Sequence, residues 1–147
     1  SLHGEARVVG REIVVHDLAQ SSIGRQPRDR PLLFSLGGET TVTVRGDGKG
    51  GRNQELALAA AIGLNDIGLA RTRLVCFATD GGDGVTEAAG AVADSDTVIR
   101  AARLGLDAKE HLVRNDSFHF FDALGDLITT GPTGTNVNDL VAAFFYG

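Results

Sequence analysis

The chain lacks several residue types that mark special classes of protein. In 147 residues it has no methionine, no tryptophan, three prolines and one cysteine. One cysteine excludes a framework of disulfides, and because Cys76 lies in the apolar run 74–78, we expect a core residue and not a nucleophile. A lone buried thiol is typical of a reducing compartment, so we expect a cytoplasmic protein. The absence of methionine at position 1 leads us to expect a fragment of a longer protein.

The chain also lacks concentrated charge and long apolar runs. The formal net charge is −5 and no block of like charges occurs, which argues against nucleic acid or a membrane surface as the main partner. No apolar run approaches the ~20 residues of a membrane-spanning helix, and no signal peptide is visible. Any affinity for anions must therefore be local.

Glycine is abundant, and its densest cluster is the loop Gly46–Glu55. Four of the six positions 46–51 are glycine, so backbone N–H groups can approach a ligand closely. A β-branched run precedes the loop, and a helical pattern follows from about Asn53. The orphan N–H groups and the dipole of a helix start favour an anion, and Lys49 and Arg52 add positive charge. The loop therefore predicts an anion site, most simply for phosphoryl groups.

The amino-acid sequence of this loop is similar to two nucleotide-binding motifs. It contains G-x-G-x-x-G, the dinucleotide fingerprint, but Asp66 lies at a helix end and Asp80 comes too late to bind a ribose. It also resembles a P-loop, yet Arg52 and Asn53 stand where Lys and Ser or Thr belong. We reject both motifs, and a tight turn before an exposed helix start remains the alternative to an anion site.

Two further polar turns follow predicted strands. The turn 79–84 carries Asp80 and Asp83, which could bind Mg²⁺ or take the proton of a substrate hydroxyl; Asx-type turns are the alternative. The turn 130–139 is rich in hydroxyls, which can hold phosphate or sugar oxygens; a structured hairpin loop is the alternative. We expect His119 to be a structural histidine rather than a base.

The apolar pattern predicts a single α/β domain with a mixed sheet flanked by helices. Gly37 and Gly38 are expected to form a hairpin turn, and the strand Arg73–Ala78 is expected to be covered on both faces. An exposed connector is predicted to end at residue 31. The predicted helices are His3–Leu18, Asn53–Leu64 and three segments ending near Leu104, Asn115 and Leu124; the predicted strands are Leu32–Leu36, Thr40–Arg45, Arg73–Ala78, Leu127–Thr130 and Leu140–Phe145.

Together the polar turns resemble one family, the C-terminal MOFRL domain of the glycerate 2-kinase family. The order and spacing match from about Leu32 to Leu140, and several blocks in order are far more specific than one glycine loop. The blocks are Gly-Gly-Glu-Thr-Thr-Val-Thr-Val at 37–44, Gly-Gly-Arg-Asn-Gln-Glu at 50–55, Thr-Asp-Gly at 79–81 with Asp-Gly at 83–84, Ala-Ala-Gly-Ala at 88–91, Asn-Asp-Ser at 115–117 and Thr-Gly-Pro-Thr-Gly-Thr-Asn-Val-Asn-Asp-Leu at 130–140.

The resemblance implies phosphorylation of D-glycerate to 2-phosphoglycerate by ATP with Mg²⁺. It implies that residues 32–147 are the MOFRL-like domain, that residues 1–31 are a helix and connector leading into it, and that the chain is the C-terminal half of a two-domain enzyme. The cleft would lie against a Rossmann-like N-terminal domain. Half a cleft cannot hold both substrates in line, so we expect negligible turnover from this chain alone.

The resemblance also implies site residues. Arg52 would stabilise charge on the transferring phosphoryl group, and Glu55 would fix Arg52 by a salt bridge. Asp80 and Asp83 would bind Mg²⁺ or the substrate hydroxyl. The remaining candidates for binding nucleotide or substrate are Glu39, Lys49, Gly50, Gly51, Asn53, Glu55, Thr133, Thr135 and Asn136.

Two other functions stay open. Members of the family have been labelled hydroxypyruvate reductases, and the G-x-G-x-x-G lettering would suit a nicotinamide cofactor, although no acid is correctly placed for its ribose. A regulatory or scaffold module without catalysis is the third hypothesis. Convergence of Arg52, Asp80 and Thr133 on one rim would favour a site, and dispersal would favour the module.

Overall fold

The computed structural model describes residues 1–20 and 31–146, which form a mixed six-stranded sheet with five α-helices. The strand order is β1-β2-β6-β3-β4-β5; β1 and β2 are parallel and the other neighbouring strands are antiparallel. The strands are β1 Leu2–Glu5, β2 Leu32–Thr41, β3 Thr72–Ala78, β4 Gly90–Asp94, β5 Leu127–Ile128 and β6 Asp139–Phe145. The helices are α1 Ala6–Glu12, which continues as the π-helical segment Ile13–Leu18, then α2 Arg52–Ile67, α3 Thr97–Arg103, α4 Ala108–Val113 and α5 Ser117–Leu124. The predicted fold class is confirmed.

Helix α2 is the centre of the core. Its residues from Asn53 to Leu64 are all buried, because alanine and leucine predominate around the whole helix. Gly68 ends the helix in the left-handed conformation, with φ of 65°, which glycine adopts without strain. In the part of the chain that the structure describes, no helix is long and apolar enough to span a bilayer.

The central strand β3 buries only one of its faces. Leu74 and Cys76 join the core around α2, whereas the alternate residues Arg73, Val75 and Phe77 are exposed or half-buried. The prediction that both faces are covered is therefore wrong. Burial also raises the pKa of the Cys76 thiol, which confirms a core residue and not a nucleophile.

The sheet register brings two polar turns and Glu39 to one edge of the sheet. Asp139, the first residue of β6, pairs with Gly38 of β2 on one side and with Ala78 of β3 on the other. The polar turn after Ala78, the turn before Asp139 and the side chain of Glu39 are consequently neighbours at this edge.

The predicted N-terminal helix begins too early and the predicted hairpin is wrong. Residues 2–5 form β1, which pairs with β2, so this segment belongs to the same sheet. Strand β2 runs straight through Gly37 and Gly38, because the absence of a side chain lets β1 approach: a Cβ on Gly38 would lie 2.2 Å from the oxygen of Leu2. The predicted strand Thr40–Arg45 accordingly ends at Thr41.

Strand β4 is missing from the sequence prediction. Its buried residues include Ala91 and Ala93, and alanine carries little of the β-branched signal by which strands are predicted. The predicted strand Leu127–Thr130 shortens to the two residues of β5. Residues 21–30 of the predicted connector lie outside the described residues.

Candidate functional site

A cleft of about 860 Å³ lies beside the glycine loop. Its walls come from the end of β2, the glycine loop, the start of α2 and the turn at Gly84 and Val85. Five predicted site residues line it: Glu39, Gly50, Gly51, Arg52 and Glu55. Asp80 and the predicted residues of the turn 130–139 do not line it.

Arg52 is held firmly at the wall of this cleft. Its Nε donates to Oδ2 of Asp139 at 2.5 Å and its Nη2 donates to Oδ1 at 2.9 Å. Its Nη1 lies 3.2 Å from Oε1 of Glu39. The hydrogen bond to Asp139, with the nearby carboxylate charges, raises the pKa of Arg52. The Arg52 side chain is 33% exposed, whereas that of Asp139 is 1% exposed, so the guanidinium has one buried and one open side.

Glu55 does not fix Arg52, contrary to the prediction. Its Oε1 accepts from Nε of Arg7 at 2.8 Å, and its Oε2 accepts from Nδ2 of Asn115 at 2.8 Å. The Oδ1 of Asn115 in turn accepts from the amides of Arg45 and Gly46. Glu55 thus joins α1, α2 and the glycine loop into one wall.

The glycines of the loop serve close packing against the protein itself. A Cβ on Gly46 or Gly48 would lie within 2.6 Å of the backbone of Arg114, and one on Gly50 would lie 2.3 Å from Oγ of Ser117. Glycine at these positions is thus required by the packing of the protein itself, while Gly48, Gly50 and Gly51 also line the cleft. Sequence reasoning missed this because Arg114 and Ser117 lie more than sixty positions from the glycines that they crowd.

Lys49 is also turned toward the segment 114–118. Its amide donates to Oδ1 of Asp116 at 2.9 Å, and its Nζ lies 4.2 Å from the ring centroid of Phe118. His119 contacts the same Asp116 oxygen through Nδ1 at 2.6 Å. Burial acts to raise the pKa of Asp116, but these hydrogen bonds outweigh it and the pKa is lowered. Lys49 is not among the residues that line the described cleft.

Asp83 occupies the anion position that the loop was expected to offer a ligand. Its two carboxylate oxygens accept from the amides and the side-chain amides of Asn53 and Gln54, at distances of 2.8 to 3.2 Å. Asp83 and Asn53 are each 1% exposed. Burial raises the pKa of Asp83, although the same hydrogen bonds oppose the shift. The protein's own carboxylate therefore satisfies the start of α2.

Asp80 and Asp83 have different surroundings. Asp80 is half-buried and its Oδ1 accepts from the amide of Gly82 at 3.0 Å, whereas Asp83 faces into the core. Across residues 1–20 and 31–146, no group of three or more His, Cys, Asp and Glu side chains is placed to hold a metal ion. Because the hydrogen bonds at the start of α2 already occupy both oxygens of Asp83, these residues fit a Mg²⁺ site poorly.

The turn 130–139 is hydrogen-bonded to the turn 79–84. The amide of Thr133 donates to the backbone oxygen of Asp80 at 3.2 Å, and its hydroxyl donates to the backbone oxygen of Thr79 at 2.6 Å. The hydroxyl of Thr79 donates to the backbone oxygen of Asn138 at 2.7 Å. Thr135 and Asn136 are exposed on the same turn.

Arg52 is tied to Asp139, which pairs with Ala78 just before the turn that carries Asp80, and Thr133 is hydrogen-bonded to that turn. Arg52 lines the cleft, whereas Asp80 and Thr133 do not. Sequence reasoning missed two residues that hold charged side chains of the cleft wall. Asp139 holds Arg52, and Arg7 holds Glu55. Asp139 did carry a signal, because it is the one charged residue in an otherwise apolar strand.

Comparison with known proteins identifies the family of this chain. Residues 32–139 match the MOFRL family. The D-glycerate 2-kinase of Thermotoga maritima is 44% identical over 96% of this chain and 33% of its own length. The glycerate 2-kinase of Pyrococcus horikoshii is 40% identical over 97% of this chain and 32% of its own length. A protein of Agrobacterium vitis that is provisionally named a hydroxypyruvate reductase is 41% identical over 97% of the chain and 32% of its own length.

The fold leads to the same group. The crystal structure of the glycerate kinase from Thermotoga maritima matches with a TM-score of 0.90 at 43% identity, covering 99% of this chain and 34% of that one. The chain spans about a third of the length of the curated relatives it matches. By its sequence and by its fold, the chain belongs to the MOFRL family.

Proposed function

We propose that the chain is the C-terminal part of an ATP-dependent glycerate kinase, which phosphorylates D-glycerate to 2-phosphoglycerate. Relatives named glycerate 2-kinase support the reaction. The observation that carries the role of this chain is Arg52, held by Asp139 at the wall of the cleft. A Rossmann-like domain on the N-terminal side would supply the opposite wall and complete the site.

Arg52 can stabilise a phosphoryl group without leaving Asp139. A guanidinium has five N–H donors, and Asp139 takes two of them. The other three are on the Nη atoms, and Nη1 forms an ion pair with Glu39, whose side chain is 56% exposed. Donors that are already oriented where negative charge develops lower the barrier to phosphoryl transfer.

The proposal keeps ATP as the phosphoryl donor and assigns no metal ligand to this chain. Asp83 is buried under four hydrogen bonds, which leaves Asp80 as the accessible carboxylate of the turn. Asp80 is suited to orient a substrate hydroxyl. Thr133, Thr135 and Asn136 lie beside it on the same edge and would contact substrate oxygens.

The geometry gives less support to the two alternatives. The glycines that spell the dinucleotide fingerprint pack against Arg114 and Asp83, so they do not form the turn that holds a pyrophosphate. The hydrogen bonds between the turns 79–84 and 130–139, and the bond of Arg52 to Asp139 beside them, favour a site over a scaffold module.

Replacement of Arg52 tests the proposal. In the two-domain enzyme that carries this chain, Arg52→Ala should lower kcat for ADP release with D-glycerate by about 100-fold or more, since it removes donors used in the transition state. Arg73→Ala is the matched control, because Arg73 is an ion-paired surface arginine on β3, away from the cleft. Near-normal turnover of Arg52→Ala would overturn the assigned role, and oxidation of NADH with hydroxypyruvate would favour the reductase instead.

A further inference from the structure

Asp139 is a buried carboxylate at the point where β2, β6 and β3 meet. Its backbone is fixed by pairing with Gly38 and Ala78, and its side chain is 1% exposed. We propose that Asp139 is the positioning residue that orients Arg52 toward the cleft. The inference rests on the proposed function and adds to it a residue that acts through Arg52 and does not itself contact substrate.

The contact between the two residues has the geometry of a fork. Nε and Nη2 of Arg52 each donate to a separate oxygen of Asp139, at 2.5 and 2.9 Å. Two parallel hydrogen bonds fix the plane of the guanidinium as well as its position. Because the backbone of Asp139 pairs with a strand on each side, the plane of the guanidinium is fixed relative to the sheet.

The contact of Arg52 with Glu39 is of a different kind. It is a single approach at 3.2 Å to a side chain that is 56% exposed, and exposed ion pairs are weak. Glu39 lines the cleft together with Arg52, whereas Asp139 does not. An anionic ligand can therefore replace Glu39 at Nη1 while Asp139 keeps its hold on the other edge.

In this arrangement, Asp139 and an anionic ligand would contact different edges of the Arg52 guanidinium. Asp139 occupies the Nε edge and leaves the three remaining Nη hydrogens facing the open side. Without Asp139, the guanidinium can rotate about its side-chain torsions and its Nη atoms lose their fixed direction. Misplacement of a catalytic group by about 1 Å can lower the rate about 100-fold, so the effect should be on kcat and not on ground-state affinity.

The test is Asp139→Asn in the two-domain enzyme. The asparagine keeps the shape but presents an N–H₂ group to one of the two arginine donors. We expect kcat to fall at least about 10-fold with KM for ATP and glycerate changed less than about threefold, as for an interaction made in the transition state. Asp94→Asn is the matched control, because Asp94 is a largely buried aspartate paired with Arg73 and Arg100 away from the cleft; it should lower stability and leave kcat unchanged.

A double substitution separates positioning from a structural effect. In an Arg52→Lys background, which has no fork to hold, Asp139→Asn should lower kcat by less than about threefold further. An equal loss in both backgrounds, or a normal kcat for Asp139→Asn, would overturn the role of Asp139. If the proposed function itself were wrong, Arg52→Ala would remain active, so the two failures can be distinguished.

Discussion

At the scale of single residues, Asp80 and Asp83 show how far environment decides function. They have the same side chain and lie three positions apart in one turn. Asp83 is buried and accepts four hydrogen bonds at the start of α2, whereas Asp80 accepts one from Gly82 and stays half-buried. The first stabilises the fold of the turn, and the second is accessible to a substrate.

Alanine substitutions should separate the two aspartates. Asp83→Ala leaves buried N–H groups of Asn53 and Gln54 without an acceptor, so the free energy of unfolding should fall by about 3 kcal/mol or more. Asp80→Ala removes one local contact and should change it by less than about 1 kcal/mol. Urea unfolding of each variant measures the difference. Equal losses of stability in the two variants would show that Asp83 does not stabilise the start of α2.

The sequence led to Arg52 and Glu39 but not to the residues that hold the wall together. The family resemblance points to Arg52 because the residues of its motif are consecutive in the sequence. Its partner Asp139 lies 87 positions away, and the pairing depends on the register of β6 between β2 and β3. Glu55 was matched to the wrong arginine for the same reason, since Arg7 comes close only when α1 packs on α2.

At the scale of elements, the glycine loop is a packing device for the start of α2. Gly51 has an extended φ of −142°, which any residue can adopt, so the reason for glycine there is space. A Cβ on Gly51 would lie 2.3 Å from Cγ of Asp83. Gly68 at the other end of the helix is the reverse case, with φ of 65° and open surroundings.

Alanine at these two ends of α2 should therefore have unequal effects. Gly51→Ala must displace Asp83 from its hydrogen bonds, and we expect a loss of about 3 kcal/mol in the free energy of unfolding. Gly68→Ala meets only the left-handed backbone and should lose about 1 kcal/mol. Both values come from urea titrations. A loss at Gly51 no larger than at Gly68 would mean that the loop shifts to accommodate the added Cβ at little cost in free energy.

The elements that sequence reasoning found and missed differ in the strength of their local signals. Helix α2 and strand β3 have long, strongly apolar patterns and were found within a few residues. Strand β4 relies on buried alanines, and β1 has only four residues, so each owes its conformation to its neighbours in the sheet. The glycine pair in β2 carried a turn signal that the approach of β1 overrides.

At the scale of the whole molecule, buried carboxylates set how stability depends on pH. Burial acts to raise the pKa of Asp94, but the amide of Asp96, the hydroxyl of Thr97 and the charges of Arg100 and Arg73 outweigh it and lower the pKa. Because the folded pKa lies below the unfolded one, Asp94 contributes stability that is complete above about pH 4 and is lost as the pH falls through the folded pKa.

Asp94→Asn should therefore flatten the acid side of the stability curve. The free energy of unfolding of the unmodified chain should fall as the pH drops below about 4, and that of the variant should fall less steeply. Urea unfolding at several pH values measures both slopes. The exposed Asp96, substituted in the same way, is the control. Parallel curves for Asp94→Asn and the unmodified chain would contradict the prediction.

The position of β6 has a consequence for synthesis on the ribosome. It is the last of the six strands to leave the exit tunnel, yet it lies between β2 and β3 and joins the two halves of the sheet. A nascent chain that stops before residue 139 leaves β2 and β3 with unpaired edges and leaves Arg52 without its anchor. Truncated products should thus be recognised as unfolded and degraded, and completion of the sheet and orientation of the arginine become one late event.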